Sequence, residues 1–158
     1  GVDVVTFGAT KNGALACEAI IFFDKGLASS MPFRRKRGGH TVSKGRILGA
    51  QMVGYLDGDH WLDNARHANA MAQSLTKGFQ SLGFARLPWP TEANEVFVVL
   101  PKSKAEALAK AGIRAAGWDS ISLPHGFSVT GDEAFLRFVL SFKTTLSEIA
   151  HVLDVLRA

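Results

Sequence analysis

Between residues 61 and 82 the sequence carries the pattern that most narrows what this chain can fold into. Trp61, Leu62, Ala65, Ala68, Ala72, Leu75, Phe79 and Leu82 recur at spacings of three and four, which gathers their side chains on one face of an α-helix. Asp57, Gly58 and Asp59 break the chain before this run, with Asp59 the expected N-cap, and Gly83 supplies the stop. The spacing predicts a helix of about 22 residues, roughly 33 Å long. A helix of that length can bridge two domains, so the residues on either side are read as separate bodies.

On the N-terminal side the pattern is strand, polar loop, strand. Residues 2–7 are apolar and β-branched, as in a buried strand. Gly8 ends that run, Asn12 and Gly13 signal a turn, and residues 19–23 resume strand character. Lys11 is therefore expected in a loop anchored at both ends, with small neighbours around its amine. A lysine that attacks a carbonyl needs that fixed, partly desolvated placement. Lys11 alone is equally read as a solvated loop lysine. Residues 24–31 read as a short helix or loop stopped by Pro32, followed by the basic run Arg34, Arg35, Lys36 and Arg37. Residues 43–56 read as a helix with Ile47, Leu48, Met52, Tyr55 and Leu56 on its apolar face. Gly45 and Gly49 on this helix would permit close approach of a neighbour.

On the C-terminal side the pattern turns to α+β. Residues 84–87, 95–100, 118–123 and 135–142 read as strands. Ser103 with Glu106 and Thr145 with Glu148 each have capping-box spacing. Leu146, Ile149, Leu153 and Leu156 give the last helix its buried face. In the strand at 135–142, alternation puts Arg137 on one face with Phe135, Val139 and Ser141. An arginine in so apolar a strand needs a partner. A ligand carboxylate suits it through two parallel hydrogen bonds, and an internal ion pair suits it equally.

Read in order, residues 3–13 (DVVTFGATKNG), 18–23 (EAIIFF), 33–40 (FRRKRGGH), 47–52 (ILGAQM), 61–71 (WLDNARHANAM) and 136–139 (LRFV) resemble the threonine aldolases, pyridoxal-phosphate-dependent enzymes of fold type I. The resemblance covers nearly the whole chain. It implies an α/β fold, the C-terminal part of a fold type I transferase-like architecture. Residues 1–57 would close the large cofactor-binding domain, 58–83 would form the bridging helix, and 84–158 would form a small α+β domain. It implies a lyase cleaving a β-hydroxy-α-amino acid to glycine and an aldehyde. In that reading Lys11 is catalytic and carries pyridoxal 5'-phosphate. Thr10, Lys36 and Arg37 are cofactor-binding, the last two reaching a neighbouring subunit in a homo-oligomer (dimer or tetramer). Arg137 binds the substrate carboxylate. The alternatives are a related β-eliminating lyase and a non-catalytic module derived from such an enzyme.

Other classes find less support. Net charge is +4, much of it from residues 34–46, but no aromatic interleaving or recognition module accompanies the basic run, so nucleic acid is not an expected partner. No run of eighteen apolar residues predicts a membrane span. His40, His67 and His125 read as structural or solvated, and no residue grouping has the spacing of a metal site. The single Cys17 excludes an internal disulfide, reads as packing and fits a reducing compartment, so a cytoplasmic location is expected. The first residues are strand-like and lack an initiator methionine. The expectation is therefore a piece of a longer chain, inactive alone because the general base and other site residues lie elsewhere.

Overall fold

The computed structural model describes residues 1–158, which fall into two units, Gly1–Asn64 and Ala65–Ala158. In the first unit, strand β1 (Val4–Gly8) pairs antiparallel with β2 (Glu18–Phe22), with Val5 opposite Ile21 and Phe7 opposite Ala19. The helices α1 (Lys25–Ala28), α2 (Met31–Arg37) and α3 (Gly45–Leu56) follow, and α4 (His60–Gln80) begins here. The unit has a small core: Ala9, Cys17 and Tyr55 are buried, and Phe7, Ala14, Leu48, Met52 and Trp61 pack on them. Many of its apolar side chains are exposed instead, among them Val2, Ile20, Phe23, Phe33 and Val53.

Several sequence expectations shift by a few residues for local reasons. Pro32 does not stop a helix; it sits in the first turn of α2, where its missing N–H would have had no intrahelical partner anyway. The basic run then fills the last turn of α2, where cations offset the partial negative charge of the helix end. Asp59 does not cap α4. It has φ 60, part of a 3₁₀ turn at Asp57–Asp59 in which Gly58 is also left-handed. Nothing lies within 4 Å of a Cβ placed at Gly45 or Gly49, so no element of this chain packs closely there.

The second unit is a three-stranded antiparallel sheet in the order β3 (Glu95–Pro101), β5 (Glu133–Val139), β4 (Ala116–Gly117), with α5 (Lys102–Lys110) and α6 (Leu146–Arg157). One sheet face supplies Val96, Val98, Leu100 and Phe138 to a core shared with Ala72, Leu75 and Phe79 of α4, Leu108 of α5, and Ile149, Leu153 and Leu156 of α6. This is the face that strand alternation assigns to even-numbered residues. The helical stripe read from the sequence is the buried side of α4, while Leu146 of α6 is exposed.

Three elements differ from the sequence reading. Residues 84–87 form a single bridge, Arg86 to Val99, because Pro88 and Pro90 cannot continue a ladder. Residues 118–123 are not a strand: the Asp119 side chain accepts from the Ile121 N–H and bends the chain into a 3₁₀ turn at Ser120–Ser122. Ser103 is not a cap, since α5 starts one residue earlier behind Pro101. The Thr145–Glu148 capping box is formed in full.

Candidate active site

Lys11 lies in the middle of a single 3₁₀ turn, Thr10–Asn12, between β1 and β2. The residues around it fix the turn from several sides. Ala9, fully buried, donates its N–H to the Cys17 carbonyl at 2.9 Å. The Thr10 hydroxyl oxygen accepts from the Cys17 N–H at 2.9 Å. Gln51 Oε1 on α3 accepts from the N–H groups of both Leu15 and Ala16 at 3.0 Å. Gly13 closes the turn at φ 125, a backbone region that suits glycine.

The strongest anchor is Asn12. Its Nδ2 donates to the Tyr55 hydroxyl at 2.6 Å and to the Trp61 carbonyl at 3.0 Å. Its own carbonyl accepts from Asn64 Nδ2 at 2.9 Å. The rings of Phe7, Tyr55 and Trp61 pack against one another at centroid distances of 5.5 to 6.2 Å. They give these hydrogen bonds a stiff, partly dry wall. The backbone on both sides of Lys11 is thus held, while the Lys11 side chain itself is exposed. Partial desolvation of the amine, expected from the sequence, is not seen in this chain, where Lys11 is exposed. An open cleft of about 280 Å³ beside the turn is lined by Gly13, Gln51, Tyr55 and His60 among others.

Thr10 spends its hydroxyl on the Cys17 backbone. Lys36 and Arg37 are exposed on α2; Arg34 and Arg35 are tethered locally, to the Ser30 hydroxyl and the His40 carbonyl. Cys17 donates its thiol to the Leu48 carbonyl at 3.0 Å and serves packing. His67 bonds the Thr144 carbonyl at 2.7 Å.

Arg137 belongs to the second unit, in the middle of β5, directly opposite Phe97 of β3 and Ala116 of β4. Its Nη1 donates to Glu95 Oε1 at 3.2 Å. Glu95 lies diagonally across β3 and β5 on the same face. The guanidinium carbon sits 4.4 Å from the centroid of the Trp118 ring, a stacked arrangement. Nε is buried without an acceptor, which costs about 1–3 kcal/mol. Trp118 is itself braced by Phe97, and Phe97 by Trp89, in an edge-on chain of rings at 5.4 and 5.2 Å. Asn12, Tyr55, Asn64, Glu95 and Trp118 were not singled out from the sequence. Only the neighbour of Lys11, in its Asn-Gly turn signal, carried a local hint.

The family model described as beta-eliminating lyase matches residues 1–103. The low specificity L-threonine aldolase of Pseudomonas aeruginosa is 39% identical over 149 residues, covering 94% of this chain and 40% of that protein. Its namesake from another Pseudomonas strain is 42% identical over 114 residues, covering 72% of this chain and 33% of that protein. Among solved structures, the Leishmania major threonine aldolase superposes with a TM-score of 0.85 at 24% identity, covering 98% of this chain and 42% of that one. A NifS-like protein matches with a TM-score of 0.64 at 20% identity, over 98% of this chain and 45% of its own. These likenesses give the chain a mixed α/β fold of fold type I, of which it holds a part. The chain spans about two-fifths or less of the curated relatives it matches.

Proposed function

The chain belongs to the beta-eliminating lyase family, and its curated relatives there are threonine aldolases; from that premise we propose that it forms part of a pyridoxal-phosphate-dependent aldolase. The substrate would be a β-hydroxy-α-amino acid of the threonine, allo-threonine or phenylserine type, and the products glycine and an aldehyde. The observation that carries this reading is the turn around Lys11, held on both sides while its amine stays open. A lysine with a fixed backbone and an open amine fits covalent attachment of an aldehyde cofactor. When bound, that cofactor supplies the electron sink for breaking the Cα–Cβ bond.

The remaining roles fall to this chain's own residues. Lys11 Nζ would hold the cofactor through its aldehyde. Lys36 and Arg37, both exposed, suit an anionic phosphate, and in a homo-oligomer they would serve a neighbouring subunit's site. Thr10 positions the turn through Cys17 and would contribute to holding the cofactor. Arg137 would bind the substrate α-carboxylate through two parallel hydrogen bonds. Residues 1–57 complete the cofactor-binding domain, 58–83 bridge, and 84–158 form the small domain. No helix is long and apolar enough to cross a membrane, and a cytoplasmic setting completes the proposal. The family description favours one second reading, β-elimination, which would use the same lysine.

The test is borohydride reduction of the full-length protein with pyridoxal phosphate, followed by peptide mass analysis. Cofactor should be trapped on Lys11, and Lys11→Ala should lose the visible absorbance. Trapping on another lysine, or on none, overturns the assignment. Threonine added to the wild-type protein should release glycine and acetaldehyde; release of ammonia and a keto acid instead would favour β-elimination.

A further inference from the structure

Three features meet at Arg137 that a simple internal ion pair does not require. Its Nη1 shares one hydrogen bond with Glu95 at 3.2 Å, a partner whose side chain is 39% exposed. One face of the guanidinium is covered by the Trp118 ring at 4.4 Å. Its Nε is buried with no acceptor. The group therefore holds more donor capacity than the chain's own acceptors use, and the indole restrains where it sits. A single-point contact to a half-exposed carboxylate is weak. A cation over an indole ring, itself braced by Phe97 and Trp89, is a stiffer constraint.

We propose that Trp118 is a positioning residue that aims the Arg137 guanidinium at an incoming carboxylate, and that Glu95 is an internal competitor for the same guanidinium. The inference rests on the reading of Arg137 as the carboxylate-binding residue. Ala116 pairs with Arg137, and the Trp118 N–H bonds the Phe135 carbonyl at 2.9 Å, which carries the pairing one residue beyond β4. Strand alternation then sets the indole on the sheet face of Phe135 and Arg137. A ligand carboxylate offers two acceptors to the guanidinium, which the single Nη1 contact of Glu95 does not match. Glu95 also places a negative charge beside the site. The two neighbours of Arg137 therefore act in opposite directions on ligand affinity: the indole favours binding and the carboxylate opposes it.

The experiment titrates the full-length protein, loaded with pyridoxal phosphate, with glycine and separately with glycine methyl ester. Binding is followed through cofactor absorbance, with thermal unfolding recorded for each variant. Trp118→Leu should weaken glycine about tenfold, the scale of a desolvated cation–ring contact. It should leave the ester, which lacks the carboxylate, and the absorbance of the unliganded protein unchanged. Trp118→Phe should recover most of the loss. Glu95→Gln should tighten glycine by about threefold, the scale of a half-exposed ion pair. Wild-type glycine affinity in Trp118→Leu, equal losses for glycine and ester, or weaker glycine binding in Glu95→Gln would each overturn the proposal. Arg137→Lys separates the two levels: if it binds glycine as the wild type does, the carboxylate reading of Arg137 fails and takes this inference with it. If Arg137→Lys weakens glycine while Trp118→Leu does not, only the role of Trp118 fails.

Discussion

Asn12 does for the turn what Lys11 cannot do for itself. Its amide spans two elements, the end of α3 through Tyr55 and the start of α4 through Trp61. Asn12→Asp keeps the shape and removes both donors, leaving a carboxylate against the Trp61 carbonyl. Urea unfolding of the full-length protein should show a loss of about 1–3 kcal/mol, the cost of stranding partly buried polar groups. Tyr55→Phe removes one acceptor and should cost about 1 kcal/mol. An Asp variant as stable as the wild type would show that the clamp contributes nothing. Lys11 and Arg137 were picked out in the sequence through the family resemblance, since Lys11 alone also reads as a solvated loop lysine and Arg137 alone as half of an ion pair. Asn12 was legible only as a turn, because its partners lie 43 and 49 positions away. The ring contact of Trp118 was not legible, because it depends on a cation on another strand.

At the scale of elements, α4 and α6 meet at Gly78. A Cβ there would stand 2.4 Å from Leu153 Cδ1 and 2.7 Å from Cδ2. Glycine inside a helix normally costs about 1 kcal/mol relative to alanine, so Gly78→Ala would ordinarily stabilise. Here overpacking against Leu153, which is 9% exposed, should win, with a net loss of about 1–2 kcal/mol. Adding Leu153→Ala to Gly78→Ala should then cost less than Leu153→Ala alone, a coupling that a double-mutant cycle reads directly. Independent, additive effects would rule the contact out. The helices themselves were legible, α4 from its stripe and α6 from its capping box, because both signals are local. The starts of α2 and α5 were not, since Pro32 and Pro101 each set a boundary through backbone geometry. The same spacing that caps α6 at Thr145 falls inside α5 at Ser103.

At the scale of the whole molecule the sequence reading set its parts at 1–57, 58–83 and 84–158, where hydrophobic period changes, whereas the structure groups Gly1–Asn64 and Ala65–Ala158. The sequence did not reveal an ion pair in the second unit whose stabilisation is lost in acid. Arg86 donates to both oxygens of Glu133, at 3.2 and 2.6 Å, and Glu133 also accepts from the Thr130 N–H at 2.9 Å. The Arg86 hydrogen bond first, and the Thr130 N–H second, hold the Glu133 carboxyl below its ordinary value. A carboxyl depressed on folding adds stability above its unfolded value and loses it as pH falls through the folded one. The Glu133 contribution should therefore be full near neutrality and decline below about pH 4.3. Urea midpoints for wild type and Glu133→Gln should differ at pH 7 and converge on acidification. A gap that stays constant or widens toward low pH would contradict the assigned pairing.

The clamp on Asn12 also bears on how this protein ages. An asparagine followed by glycine is chemically short-lived in an open chain, because the glycine amide can close on the side-chain carbonyl and expel ammonia; asparagine is among the thermolabile residues for such reasons. Here the Asn12 amide is tied to Tyr55 and Trp61, which restricts the rotation that ring closure needs. The product would be an aspartate lacking both donors, so the first damaged turn could not be held as before. Protection and damage thus form a one-way ratchet: the fold guards the residue that guards the fold, and each opening of the turn is an opportunity to lose it.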